Sequence, residues 1–168
     1  YKRQQKNHDF LIDVFAELKK KKPDAELILV GTGPLEEKVK SKVIEKCLSD
    51  CVHFLGNRKD MNRIYQAMDV FVFPSLFEGL GIVAIEAQAA GVPIVCSEGL
   101  PPETDITPIY QKLLLSDGAE KWANVALEMA QNLKAHTNMQ QYVIDAGFDM
   151  DATAKYMESY YLNRWRTA

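Results

Sequence analysis

Val70-Phe71-Val72-Phe73-Pro74-Ser75-Leu76-Phe77-Glu78-Gly79-Leu80-Gly81-Ile82-Val83-Ala84-Ile85-Glu86-Ala87 passes from an apolar run through two glycines into a second apolar run. Val70 to Phe73 read as a buried strand, Pro74-Ser75 as the turn that ends it, Glu78 to Gly81 as a glycine-flanked loop, and Ile82 onward as a helix. A fully apolar strand that passes through glycines into a helix is one unit of a parallel sheet covered on both faces. Glu78 is expected in the loop and Glu86 inside the helix, with seven residues between them. Gly79 and Gly81 carry no side chain, so the backbone there can approach a ligand closely. The amides of Gly81, Ile82 and Val83 are expected at the helix N-terminus, where unpaired N–H groups and the helix dipole favour an anion. Two carboxylates around such an amide nest suit a molecule with hydroxyls at both ends and phosphates between, as in a nucleotide sugar. The rival reading is that Glu86 pairs locally and Glu78 is a solvated loop residue.

Upstream of this stretch, Phe10, Leu11, Val14, Phe15 and Leu18 recur at helical spacing behind Asn7, a suitable N-cap, and Pro23-Asp24 ends that helix. Glu26 to Val30 form a short apolar strand running into Gly31-Thr32-Gly33-Pro34. Pro34 suits the first turn of the next helix, with Glu36 and Glu37 near its positive end. Val52 to Gly56 are the following strand, and Met61, Ile64, Tyr65 and Met68 mark a helix. Downstream, Val92 to Cys96 and Lys112 to Leu115 read as strands. The rest is helical: Trp122, Val125, Ala126, Met129 and Leu133 share a face, Met139 to Ala146 form a short segment, and a last helix runs from about Asp151 to Trp165. The pattern predicts a doubly wound, Rossmann-like α/β domain with a parallel sheet and helices on both faces. In such sheets ligands sit beyond the carboxyl ends of the strands, where each glycine-bearing turn falls.

Composition narrows the function. The chain has 168 residues, enough for one well-packed domain, and 47% apolar with 26% charged residues describe a globular protein. A net charge of −3 argues against nucleic acid as the main partner, because backbone phosphates call for a basic face. Lys19 to Lys22 read as the solvated end of the first helix. Cys47, Cys51 and Cys96 lack disulfide or zinc spacing and are expected to be reduced thiols. No apolar run approaches the roughly 18 residues that span a bilayer, and no signal peptide opens the chain, so a cytoplasmic location is expected. Gly31-Thr32-Gly33 imitates the start of a dinucleotide fingerprint, with Asp50 downstream, but Glu36 stands where the third glycine belongs. A carboxylate there competes with a pyrophosphate for the same amides, so NAD is disfavoured.

Pro74-Ser75-x-x-Glu78-Gly79-x-Gly81 followed by Glu86-Ala87, Gly91 and Pro93 resembles the E-x7-E signature of retaining glycosyltransferases with the GT-B fold. Val30-Gly31-Thr32-Gly33-Pro34 and Phe54-Leu55-Gly56-Asn57 are similar to that family's neighbouring turns, and Gln5-Lys6-Asn7-His8 to its lysine turn. The likeness covers nearly the whole chain and is strongest to the branch that builds bacterial capsular and exopolysaccharide units. It implies that residues 1–168 are the donor-binding half of a hexosyltransferase-type enzyme, inactive as an isolated domain. The N-terminal acceptor domain would lie outside this chain. Glu78 would be the catalytic-site carboxylate on the transferred sugar, Glu86 would hold the ribose, and Gly79, Gly81, Ile82 and Val83 would offer backbone to the pyrophosphate. Lys6 would neutralise it, and Gly31, Gly33 and Arg58 would lie near base and phosphates. The resemblance implies no metal, since no Asp-x-Asp motif is present, and no cofactor beyond the nucleotide-diphosphate sugar, whose base it leaves open, UDP being one candidate. The partners implied are that donor, the acceptor domain, a glycan or lipid-linked acceptor, and a peripheral contact of the whole enzyme with the inner membrane face. The aromatic last helix, with Tyr156, Tyr160, Tyr161 and Trp165, would either cross back to the acceptor domain or pack within this one.

The chain departs from the family in two places. The arginine that usually precedes the lysine turn would fall at Tyr1 or just upstream, and so would the strand that is normally first and central in the sheet. Either a neighbour then fills that slot, by domain swapping for example, or the strands at 26–30 and 70–73 pair directly. The turn after the next strand reads Ser97-Glu98-Gly99-Leu100-Pro101-Pro102-Glu103 rather than the family's glycine-rich acidic turn. Two rival functions stand beside the leading one: a non-catalytic subunit that docks on a separate acceptor-domain protein, and a sugar-nucleotide epimerase of the same fold.

Overall fold

The computed structural model describes residues 4–132 and 136–166; Leu133 and Tyr1, with the expected arginine position, lie outside them. Five short parallel strands carry the architecture: β1 (Leu27–Leu29), β2 (Val52–Phe54), β3 (Phe71–Phe73), β4 (Ile94–Ser97) and β5 (Tyr110–Leu113). Between and after them run α1 (His8–Lys21), α2 (Glu36–Glu45), α3 (Met61–Tyr65), α4 (Ile82–Ala89), α5 (Ala119–Asn132), α6 (Gln140–Asp145) and α7 (Met150–Arg166). The strands alternate with helices through α4, as the apolar runs and glycine turns predict, and every strand pair is parallel.

The sheet is split. β1 pairs with β2, and β3 pairs with β4, which pairs with β5. β1 and β3 do not pair with each other, so direct pairing of the 26–30 and 70–73 segments is not the arrangement adopted. A cavity of about 720 Å³ lies between them, lined along its length by residues of both strands.

The core follows from this layering. Leu11, Ile12 and Phe15 of α1 pack with Leu29, Val39, Val43 and Val52 beneath β1 and β2. Val14, on the neighbouring stripe of the same helix, joins Val95, Leu113, Trp122 and Ala126, so α1 bridges both parts of the sheet. Phe10 meets Trp122 edge to face with centroids 5.5 Å apart, and the indole N–H donates to the Leu114 carbonyl at 2.9 Å. The opposite face is covered by α3 and α4, where Phe73, Ala84, Ile94 and Cys96 form one cluster and Tyr65, Ala87 and Val92 another.

Several boundaries differ from the expectation, each for a local reason. The last strand is Tyr110–Leu113 rather than 112–115, because Leu114 leaves the sheet to start a 3₁₀ turn over Leu115–Asp117. Pro34 precedes α2 by two residues, and the Glu36 amide bonds to the Gly33 carbonyl at 3.0 Å. Asn7 stands at the N-cap of α1 but in the left-handed conformation (φ 52°), with no capping bond from its side chain. The last helix is exposed along its described length, with Met150, Tyr156, Tyr161 and Trp165 all more than 60% exposed.

Candidate functional site

Within each part of the sheet the strands run parallel, so their carboxyl ends bring the following loops together. The β1 and β2 loops meet where the Gly31 amide donates to the Gly56 carbonyl at 2.7 Å. Gly31 and Gly56 both have positive φ (104° and 62°), a conformation that a Cβ makes costly. The β3 and β4 loops meet similarly: the Glu78 amide donates to the Gly99 carbonyl at 2.9 Å, and the Ser97 hydroxyl donates to the Ser75 carbonyl. A Cβ on Gly99 would come within 2.4 Å of the Leu76 carbonyl oxygen, so only glycine allows this approach. The strand order reverses between β1 and β3, and the site lies outside that switch point, where open α/β sheets bind ligands.

At its centre Lys6, from the turn before α1, reaches across to the β3 loop. Its Nζ donates to Glu78 Oε1 at 2.7 Å and lies 4.8 Å from the centre of the Phe73 ring. Ser75, fully buried, donates its hydroxyl to the same oxygen at 2.7 Å. Oε2 of Glu78 therefore takes no side-chain bond among the described residues. The Lys6 turn is held by its own backbone, since the Gln5 carbonyl accepts from the Leu76 amide at 2.7 Å. The Glu78 side chain is only 7% exposed, so its charge is compensated by an ammonium rather than by bulk water.

Gly81 occupies the N-cap of α4 with φ 68°, and Ile82 and Val83 open the helix. Their amides belong to the first turn, which has no intrahelical acceptors, as the sequence implied. Gly79 has open space around it. One helical turn further along, Glu86 is solvent-exposed, and its Oε2 accepts from the Tyr65 hydroxyl at 2.9 Å. Tyr65 is buried; burial and then the neighbouring Glu86 carboxylate raise its phenol pKa well above the ordinary value, so it remains a donor at physiological pH. Lys6, Glu78, Gly79, Gly81, Ile82, Val83 and Glu86 thus share the β3–α4 side of the switch point, while Gly31 and Gly33 lie on the β1 side.

Arg58 follows β2 and forms a two-pronged pair with Asp60, at 2.8 and 2.7 Å. That bond lowers the Asp60 carboxyl to about 2. None of its hydrogen bonds reaches the other candidate residues. Three contributors escaped the sequence reading as functional: Ser75, Tyr65 and Gly99. Ser75 stood inside the quoted motif, and Tyr65 on a predicted helix face, but neither spacing shows which carboxylate they meet.

Residues 1–132 match the model of the family described as glycosyl transferases group 1, and the chain belongs to that family. A Bacillus subtilis (strain 168) protein named as the glycosyltransferase EpsF is 32% identical over 146 residues, 86% of this chain and 38% of its own length. Among solved structures, sucrose-phosphate synthase from Thermosynechococcus elongatus superposes with a TM-score of 0.81 at 26% identity, over 99% of this chain and 44% of that one. Anabaena Alr3699/HepE, solved with UDP and glucose, shares the fold with a TM-score of 0.73 at 20% identity, over 94% of this chain and 46% of its own. The chain therefore spans less than half the length of these proteins. Among the described residues no helix is long and apolar enough to cross a membrane.

Proposed function

We propose that this chain is the donor-binding half of a retaining glycosyltransferase that moves a sugar from a nucleotide-diphosphate sugar to a glycan or lipid-linked acceptor in polysaccharide biosynthesis. The observation that carries the reading is the Lys6–Glu78 pair beside the first turn of α4, with Glu86 one helical turn further on. An ammonium and a helix N-terminus form an anion site, and the flanking carboxylates are hydroxyl acceptors. The donor diphosphate takes Lys6 and the amides of Gly81, Ile82 and Val83. Glu86 accepts from the ribose, and Glu78 accepts from the transferred sugar as Lys6 turns to phosphate.

In the transfer step the acceptor hydroxyl oxygen bonds to the anomeric carbon on the face that the diphosphate leaves. The bond from that carbon to the phosphate oxygen breaks, and the hydroxyl proton passes to that oxygen. Lys6 and the α4 amides stabilise the charge that gathers on the diphosphate, which is where such sites gain most of their rate. Isothermal titration of the whole polypeptide with UDP, GDP, ADP and their sugar forms tests the reading. One nucleoside diphosphate is expected to bind, and binding by none rejects it. Glu86→Ala is expected to lower affinity for the bare nucleotide about tenfold, the worth of one hydrogen bond to a charged group. Glu78→Ala is expected to weaken only the sugar form, and equal losses in both variants for both ligands contradict this division of roles.

A further inference from the structure

We infer that Ser75 is a positioning residue: its buried hydroxyl holds the Glu78 carboxylate when Lys6 leaves it for the donor diphosphate, and so sets how readily Lys6 can leave. This role rests on the donor-site reading above. Among the described residues Glu78 has two side-chain donors, Lys6 Nζ and Ser75 Oγ, each at 2.7 Å and both on Oε1. The two donors differ in freedom. Lys6 is an ammonium on a flexible four-carbon stem, with its side chain 24% exposed. Ser75 is fully buried and held on both sides. Its carbonyl accepts from the Ser97 hydroxyl, whose oxygen accepts in turn from the Gly99 amide at 3.3 Å. The Leu76 amide is tied to the Gln5 carbonyl at 2.7 Å, and the Glu78 amide to the Gly99 carbonyl at 2.9 Å. Lys6 is therefore the exchangeable partner and Ser75 the permanent one.

Ser75 and Glu78 stand at the Ser-x-x-Glu spacing of a helix-capping box. No helix covers residues 75–78, however, and the hydroxyl bonds the carboxylate itself. The pair thus has no capping duty.

The sharing of one oxygen has an energetic consequence. With the Glu78 side chain only 7% exposed, water replaces a lost donor poorly, and a buried acceptor left bare bears its desolvation penalty. Because Ser75 bonds the same oxygen as Lys6, departure of the ammonium leaves Oε1 satisfied and Oε2 open to a sugar hydroxyl. Without the Ser75 hydroxyl, the diphosphate would have to strip the carboxylate of its last side-chain donor to recruit Lys6. Glu78 and the diphosphate compete for one ammonium, and Ser75 tips that competition toward the diphosphate.

Calorimetric titration of the whole polypeptide with whichever of UDP, GDP and ADP the parent binds tests this in a double-mutant cycle. Ser75→Ala is expected to lower affinity for that bare nucleotide by about threefold to tenfold. In the Glu78→Ala background the same substitution is expected to change it by less than about twofold, because no carboxylate then competes for Lys6. A serine that only braced the loop would cost the same in both backgrounds, so equal losses overturn the inference. No loss from Ser75→Ala in the presence of Glu78 overturns it too. Ser75→Cys keeps the side-chain shape with a weaker donor and is expected to fall between the parent and Ser75→Ala. Where Ser75→Ala does not fold, Ser75→Cys takes its place in the cycle, with a loss expected only in the presence of Glu78. A parent that binds none of the three nucleotides rejects the donor-site reading and this role with it. Equal losses in a parent that does bind reject the role of Ser75 alone.

Discussion

Tyr65 illustrates how one buried hydroxyl shapes this site. Glu86 is exposed and long, so without a fixed partner its carboxylate would sample several rotamers, and the ribose proposed to bind it would bear the cost of ordering it. The Tyr65 hydroxyl holds Oε2 at 2.9 Å from a position packed edge to face on Phe71. Tyr65→Phe keeps the packing and removes only that bond. Its melting temperature is expected to stay within a few degrees of the parent, while nucleotide affinity falls by about threefold to tenfold, the span of a net hydrogen bond. Titration with a nucleotide lacking ribose hydroxyls reads the same contact, since parent and variant are expected to bind it equally; an unequal response would give Tyr65 a different role. The carboxylates and glycines were legible in the sequence because glycines and charged residues at strand ends mark turns and helix starts, and Lys6 only through the likeness of its turn to the family's lysine turn. Tyr65 and Ser75 were not, because a helix-face aromatic and a turn serine fit ordinary packing until the partner carboxylate is located in space.

At the scale of elements, α1 and α2 are strapped together by Lys42, whose Nζ donates to Asp13 at 2.6 Å and to Asp9 at 2.8 Å. Burial is the largest single influence on Asp13 and pushes its pKa up, but the hydrogen bonds and charges of Lys42 and Lys46 outweigh it and leave the carboxyl below its usual 3.8. Lys42 is displaced upward from 10.5: burial opposes this, and the Asp13 and Asp9 bonds prevail. A lowered acid stabilises the fold above its ordinary pKa and loses that contribution as pH falls through the folded value. A raised base stabilises below its ordinary pKa and loses that contribution as pH rises through the folded value. The strap is therefore complete between about pH 4 and pH 10. Lys42→Met is expected to cost about 1 kcal/mol at pH 7, discounted because both aspartates are partly exposed, and less at pH 2. Denaturant titrations at the two pH values measure this, and an equal cost at both would show that the lysine acts by packing alone. The helix faces of α1 and α5 were legible from their spacing, whereas this tie was not, because it joins residues whose side chains only packing brings together.

At the scale of the molecule, the split sheet and the packing around it set what solvent can reach. Cys96 lies in β4 with its side chain fully buried, and burial raises its thiol to about 11, while Cys51 is buried beside Leu48. Cys47 is exposed, after α2, in the left-handed conformation. Iodoacetamide at pH 8 is expected to alkylate Cys47 rapidly, and Cys51 and Cys96 only on unfolding, as mass spectrometry of the peptides would show. Prompt labelling of Cys96 would mean that the cavity beside β3 admits solvent as far as the neighbouring strand. Local sequence sets the alternation of strand and helix, the parallel sheet and the loop that carries Glu78. Each of these depends on local period and turn chemistry, which neighbouring residues set. That β1 and β3 stand apart, that Lys6 and Glu78 meet across 72 positions of chain, and that helix α7 leaves its aromatic side chains exposed follow only from the packing. Such facts depend on which distant surfaces are brought together, and no local pattern of residues encodes that.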